Sequence, residues 1–165
     1  MPEVQNASVG ILSPEHAAKR EEIVELLTRA YWMEIETVMN YLANSANLDG
    51  IRAEEIAESL EHEVTDELGH ARRFAGRIKE LYGTTPGSLE FTGDQHAQQP
   101  PADPTDVVTV IKGVIEAEAG AIAHYNTIIE ACDGIDWGTQ DMVIEILRDE
   151  EGHMRRFERY LQEFS

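Results

Sequence analysis

The amino-acid sequence predicts an all-α fold: a four-helix bundle with one long crossover between its second and third helices. Three observations predict it. Apolar residues recur at helical spacing over four long segments, and the period-two alternation of strands is absent. The breaks within each half are short and the break between the halves is long, as in a bundle of two helical hairpins. One stretch is written twice: residues 65–74 read TDELGHARRF and residues 148–157 read RDEEGHMRRF.

Residues 1–14 are read as an N-terminal tail and 15–165 as a single bundle domain, a length that buries a real core. Ser13-Pro14-Glu15 makes a helix start, with a capping hydroxyl, then Pro and an acid in the first turn. Ile23, Leu27, Ala30, Val38 and Tyr41 keep a helical period to about Asn47, where Leu48-Asp49-Gly50 breaks it. Helix 2 runs from about Arg52 to Leu81, with Ile56, Leu60, Val64, Ala71, Phe74 and Ile78 on one stripe, and Gly83 ends it. Residues 83–105 hold four of the six prolines and form the crossover connection. Thr105-Asp106 caps helix 3, whose face carries Val108, Ile111, Ile115, Ile122, Tyr125 and Ile129 and which ends near Asp133-Gly134. Helix 4 runs from about Thr139 to Phe164. The longer helices, at about 30 residues, span roughly 45 Å.

Thirteen Lys plus Arg against 32 Asp plus Glu give a net charge of -19. Such a charge repels phosphate backbones and anionic membranes and attracts cations, so neither DNA nor a membrane is expected as a partner. The lone Cys132 excludes an internal disulfide and any Cys-based zinc or iron-sulfur cluster within one chain. With no signal-like start and no long apolar run, a soluble cytoplasmic protein is expected.

Each apolar stripe passes through an acid. The helix 1 series 27, 30, 34, 38 includes Glu34, and the helix 3 series 111, 115, 118, 122 includes Glu118. Helix 2 carries Glu67 with His70 one turn on, and helix 4 carries Glu150 with His153. Burying unpaired carboxylates costs several kcal/mol each, about enough to forbid four without compensation. No Lys or Arg lies on those stripes, whereas two divalent cations would balance four carboxylates and two neutral imidazoles would complete their shells. The i, i+3 spacing sets the Glu and His of each pair on one helix face, where they can share a metal. Carboxylate and imidazole donors without thiolate suit iron or manganese. One Glu from each of two helices plus Glu-x-x-His from the other two is the ligand pattern of di-iron carboxylate bundles.

The duplication agrees. Shifting by 84 residues lays Glu34, Tyr41, Asp49 and Gly50 on Glu118, Tyr125, Asp133 and Gly134, and shifting by 83 lays Glu67 and His70 on Glu150 and His153. Each hairpin is then a half-site related to the other by a pseudo-twofold axis. Tyr41 and Tyr125 lie seven residues past Glu34 and Glu118, two turns on along the same face. They either pack the core or hydrogen-bond a ligand carboxylate. The Arg pairs that follow, Arg72-Arg73 and Arg155-Arg156, are read as surface or inter-subunit ion pairs without chemistry.

At these residues the chain resembles the ferritin-like superfamily, and bacterioferritins most of all. DMVIEILRDEEGHM (141–154) is similar to their fourth helix, and the spacing from Glu34 through Tyr41 to Glu67 and His70 is theirs. The resemblance covers about residues 20–160. It implies Glu67 and Glu150 as bridging carboxylates, Glu34 and Glu118 as terminal ones, and His70 and His153 as one nitrogen ligand on each of two irons per subunit. It also implies an inner-surface iron site at His62 and Asp66. Leu68 stands where bacterioferritins carry the haem-ligating methionine, so haem is not expected. The 12 residues after His153 leave no room for a fifth helix, which favours a homododecameric shell of the Dps-like kind over a larger cage. DNA binding of the Dps type is not expected, because the tail up to Pro14 has no basic residue.

The function expected is that of a ferroxidase and iron-storage protein, with Fe(II) and O2 or H2O2 as substrates. The alternative is a non-storage di-iron or dimanganese peroxidase or catalase of rubrerythrin or erythrin type. A bundle that binds no metal and serves interaction alone is the third reading.

Overall fold

Four helices form where apolar residues keep helical spacing: α1 (Ala17–Asn47), α2 (Ile51–Glu80), α3 (Val107–Cys132) and α4 (Trp137–Leu161). The structure, a computed structural model, describes residues 10–164, and among these no strand occurs. Most of the expected N-terminal tail, residues 1–9, lies outside the described residues. Its end does not behave as a tail: Gly10–Leu12 forms a 3-10 turn whose Ile11 joins the core, and Arg20 donates from Nη1 to the carbonyls of Ile11 and Ser13.

Helix ends differ from the sequence reading by a few residues. Pro14–His16 is a separate 3-10 turn, Ser13 makes no capping bond, and α1 begins only at Ala17. Asp106 caps α3 by accepting from Thr109 N, as its position predicts, and Asp136 does the same for α4 through Thr139 N, which moves that helix start ahead of Thr139. The last turn, Gln162–Phe164, tightens to 3-10. The links inside both hairpins turn on a glycine with positive φ, Gly50 at 104° and Gly134 at 72°, a conformation that costs side-chain-bearing residues energy.

α1 packs along α2 and α3 along α4, and α1 meets α3 across the bundle. The crossover runs over α1 and α3. Glu36 of α1, 5% exposed, accepts the backbone N–H groups of Asp94 and Gln95 at 2.8 Å each, and Asn44 donates to the Gln98 carbonyl at 2.7 Å. On the other side Gly113 admits the turn His96–Gln98 so closely that an added Cβ would lie 2.2 Å from the Ala97 carbonyl oxygen. The connection is therefore ordered by polar bonds to helices, although its sequence lacks helical periodicity.

The core falls into two apolar clusters. One includes Ile23, Leu27, Phe74, Ile78, Ile128 and Ile146; the other includes Ile56, Leu60, Val110, Ile111, Val114 and Phe157. Truncating a fully buried Leu such as Leu27 or Leu60 costs about 2–5 kcal/mol. Between the clusters lies a layer of acids and imidazoles, and the helices tolerate it there only because its members face one another.

Candidate metal centre

The polar layer takes one residue or pair from the middle of each helix. Glu34 comes from α1, Glu67 and His70 from α2, Glu118 from α3, and Glu150 and His153 from α4, all between 1% and 5% exposed. At such burial each charge must be met by a neighbour and not by water. The i, i+3 spacing brings His70 Nδ1 within 3.4 Å of Glu67 Oε2 and His153 Nδ1 within 3.2 Å of Glu150 Oε2. Across the pseudo-twofold, His70 Nδ1 lies 2.8 Å from Glu150 Oε1 and His153 Nδ1 lies 3.2 Å from Glu67 Oε1. The terminal acids close each end: Glu34 Oε1 is 3.8 Å from His70 Nδ1, and Glu118 Oε1 is 3.9 Å from His153 Nδ1.

Two candidate metal sites result. Glu34, Glu67, His70 and Glu150 offer ligand atoms within 4.8 Å of one another, and so do Glu63, Glu67, Glu118 and His153. Glu67 Oε1, His70 Nδ1 and Glu150 Oε1 are buried without a hydrogen-bond partner, the state of donor atoms suited to a cation. The donors are hard oxygens and imidazoles, which fit iron or manganese.

Both imidazoles point Nδ1 inward and Nε2 outward. His70 Nε2 lies 3.1 Å from Asp149 Oδ2, and His153 Nε2 lies 3.6 Å from Asp66 Oδ2. A proton on Nε2 shared with that acid leaves the Nδ1 lone pair free for a metal. Tyr41 OH donates to Glu118 Oε1 at 2.6 Å, and Tyr125 OH donates to Glu34 Oε1. Both phenols are fully buried, so each packs in the core and donates to a buried carboxylate.

Without a cation the layer balances its charge with protons. Burial, with the nearby Glu150 and Glu67 carboxylates, raises Glu34 well above the ordinary carboxyl range, and the same causes raise Glu118. Burial also opposes ionisation of Glu67, but His153 and His70 outweigh it and hold this carboxyl at about 2. The imidazoles respond in kind. Burial disfavours their charge, yet the surrounding carboxylates, Glu150 foremost, hold His70 protonated far above its usual range and push His153 up to about 11.

Some residues of this layer escaped the sequence reading. Glu63 is fully buried one turn before Glu67, where the stripe was drawn through Val64; burial pushes its carboxyl up to about 7 against the pull of His153 and Arg156. The hydrophobic period selected Val64 because it is apolar, while the buried face passes through 56, 60, 63 and 67. Arg156 is exposed and ion-paired, but its pair reaches inward: its Nη1 donates to Glu63 Oε1 at 2.7 Å. Its counterpart Arg73 does pair at the surface, with Glu145, and Arg155 pairs there with Glu158. His62 and Asp66 are both exposed, and Asp66 Oδ2 lies 3.6 Å from His153 Nε2.

Known proteins share this architecture. The family described as Ferritin, ferritin-like domain, matches residues 24–165. The chain is 29% identical over 144 residues to the DNA protection during starvation protein of Pyrococcus furiosus, covering 86% of this chain and 77% of that protein. It is 25% identical over 144 residues to the bacterioferritin of Desulfovibrio desulfuricans, covering 85% and 74%. The solved structure of a bacterioferritin from that organism, described with its diiron site in different catalytic states, superposes with a TM-score of 0.77 at 23% identity, over 88% of this chain and 81% of that one. A dodecameric thioferritin of Bacteroides fragilis superposes with a TM-score of 0.75 at 22% identity, over 88% and 87%.

Proposed function

Because this chain belongs to the ferritin-like domain family, we propose that it is a ferroxidase that oxidises Fe(II) at an intra-subunit pair of sites and stores the ferric product as mineral inside a shell of its own copies. The observation that carries this reading is the buried layer of five carboxylates and two imidazoles, divided into two groups that share Glu67. Fe(II) is the substrate. Each of two Fe(II) gives up one electron, so one O2 and two protons yield H2O2, or one H2O2 and two protons yield two water molecules.

In this reading Glu67 and Glu150 lie between the two cations, Glu34 and Glu118 hold one each from outside, and His70 and His153 supply one nitrogen each. Tyr41 and Tyr125 hold Glu118 and Glu34 in place by donating to them. Asp149 and Asp66 keep each imidazole turned with Nδ1 inward. The two apolar clusters above and below exclude water from the layer, which strengthens the attraction between its carboxylates and Fe(II). The net charge of -19 draws Fe(II) toward the molecule and repels nucleic acid and anionic membranes. Among the described residues no helix is long and apolar enough to cross a membrane. The dodecameric thioferritin among the fold neighbours supports a shell of twelve subunits, each with two iron ions, and Leu68 supports a shell without haem.

The test is aerobic loading with Fe(II), followed by particle mass and iron per particle. A large shell that retains many irons per subunit is the expected outcome. A dimer that consumes H2O2 and keeps no mineral would replace this reading with the non-storage peroxidase or catalase type.

A further inference from the structure

Three features of Glu63 are unexplained by a symmetric centre. It is 0% exposed, its Oε2 has no hydrogen-bond partner, and Oε1 is met only by Arg156, whose own side chain is 43% exposed. A carboxylate held so is incompletely compensated, because a half-exposed guanidinium is screened by water while the acid is not.

The duplication shows that the fold does not require an acid there. The shift of 83 that superposes the two Glu-x-x-His motifs lays Glu63 on Ile146, itself 0% exposed within an apolar cluster. It lays Arg156 on Arg73, which turns to the exposed Glu145. At one end of the layer the bundle is thus closed by a hydrocarbon, and at the other by a carboxylate with a free oxygen. That carboxylate offers a ligand atom within 4.8 Å of those of Glu67, Glu118 and His153.

We propose that Glu63 is a further ligand for Fe(II), belonging only to the His153 half of the centre. The two halves are then unlike: Glu34, Glu67 and Glu150 stand with His70, and Glu63, Glu67 and Glu118 stand with His153. The ion pair of Glu63 reaches the surface through the half-exposed Arg156. Arg156, which holds Glu63 from outside, lines an open groove of about 330 Å³ together with Glu55, Glu58 and His62. This inference rests on the proposed two-cation centre and makes its two halves chemically distinct.

The experiment uses Zn(II), a redox-inert divalent cation, so the readout is binding and not turnover. Calorimetric titration of the metal-free wild type should show two sites per chain. Glu34→Gln disables the His70 half and Glu118→Gln the His153 half, leaving one site in each background. Adding Glu63→Gln should weaken the site remaining in the Glu34→Gln protein by about tenfold or more. It should leave the site in the Glu118→Gln protein unchanged. No change in either background, or equal weakening in both, overturns the proposal. Failure of the wild type to bind two Zn(II) overturns the two-cation reading itself. Should Glu63→Gln not fold, anomalous diffraction from Zn(II)-loaded wild-type crystals decides: Glu63 must stand at roughly 2.0–2.2 Å from the cation nearer His153, and a larger separation overturns the assignment.

Discussion

Asp149 of α4 holds His70 of α2: its Oδ2 lies 3.1 Å from His70 Nε2, so the acid of one D-E-x-G-H copy orients the imidazole of the other. The reciprocal contact, Asp66 with His153, is longer at 3.6 Å and is an ion-pair distance more than a hydrogen bond. Removing such an outer partner of a metal-binding His costs about 10–100-fold in affinity. Asp149→Ala is therefore expected to weaken anaerobic Fe(II) binding by that order, and Asp66→Ala by less. Calorimetry on both variants checks the ranking; equal losses would contradict it.

Glu67 and Glu150 each lie beside both imidazoles, and Glu67 belongs to both candidate sites, so these are the acids whose loss reaches furthest. Glu67→Ala and Glu150→Ala are expected to abolish fast Fe(II) oxidation while far-ultraviolet circular dichroism still reports a full bundle. Wild-type oxidation kinetics in both variants would refute the ligand assignment.

Metal uptake should expel protons. The pKa values of Glu34, Glu118, His70 and His153 all stand above their ordinary values in the metal-free chain, so the two imidazoles are cations at neutral pH and the two carboxyls hold their protons to higher pH than free ones. A divalent cation needs the carboxylates ionised and Nδ1 unprotonated. Raised folded pKa values mean that these protons are lost only on binding. Affinity therefore rises with pH and falls on acidification, and protons, among them one from each imidazole, leave on binding. Titrations in buffers of different ionisation enthalpy measure their number, and a value near zero would contradict the charge balance described.

The phenols contribute separately from the metal. Tyr41→Phe removes the 2.6 Å donor to Glu118 Oε1 in a layer that water does not reach. The loss of one buried partner is expected to cost about 1–3 kcal/mol in chemical denaturation of the metal-free protein. Tyr125→Phe should behave alike through Glu34.

A control lies at the end of the bundle. Asp136, 1% exposed, caps α4 and accepts from Arg77 Nη2 at 2.7 Å. Asp136→Ala removes the α4 cap and one of the two carboxylates on Arg77, which keeps Glu80 at 2.9 Å, a change that costs about 1–3 kcal/mol. Thermal or denaturant melting should show this loss with Fe(II) affinity at 25 °C unchanged.

Much of the architecture was legible in the sequence because helical spacing of Leu27, Ile56, Ile111 and Ile146 survives in the buried faces. The six inward acids and imidazoles were legible too, since residues of that polarity interrupt an apolar stripe. Glu63 was not, because a hydrophobic period prefers Val64 next to it, and only the packed helix shows which of two adjacent positions faces inward. Asp149 and the true partner of Asp66 were hidden for a different reason. Their contacts span 79 and 87 residues, and a duplicated motif does not say that its acid serves the opposite copy. The crossover followed neither rule: Glu36 and Asn44 anchor it by accepting and donating to its backbone, and such bonds leave no periodic trace.

The exchange between the hairpins has a consequence for how this sequence can change. Tyr41 and Asp66 from the first hairpin steady Glu118 and His153 in the second, and Tyr125 and Asp149 return the service to Glu34 and His70. Neither hairpin is self-sufficient, yet two copies of either, set face to face, would supply each other with every one of these contacts. The chain is in this sense a dimer fused end to end. A substitution at the acid of one copy of D-E-x-G-H is felt by the imidazole of its sister, whereas at Glu63 and Ile146 the twins have parted, and only Glu63 reaches across, to Arg156 of the other hairpin.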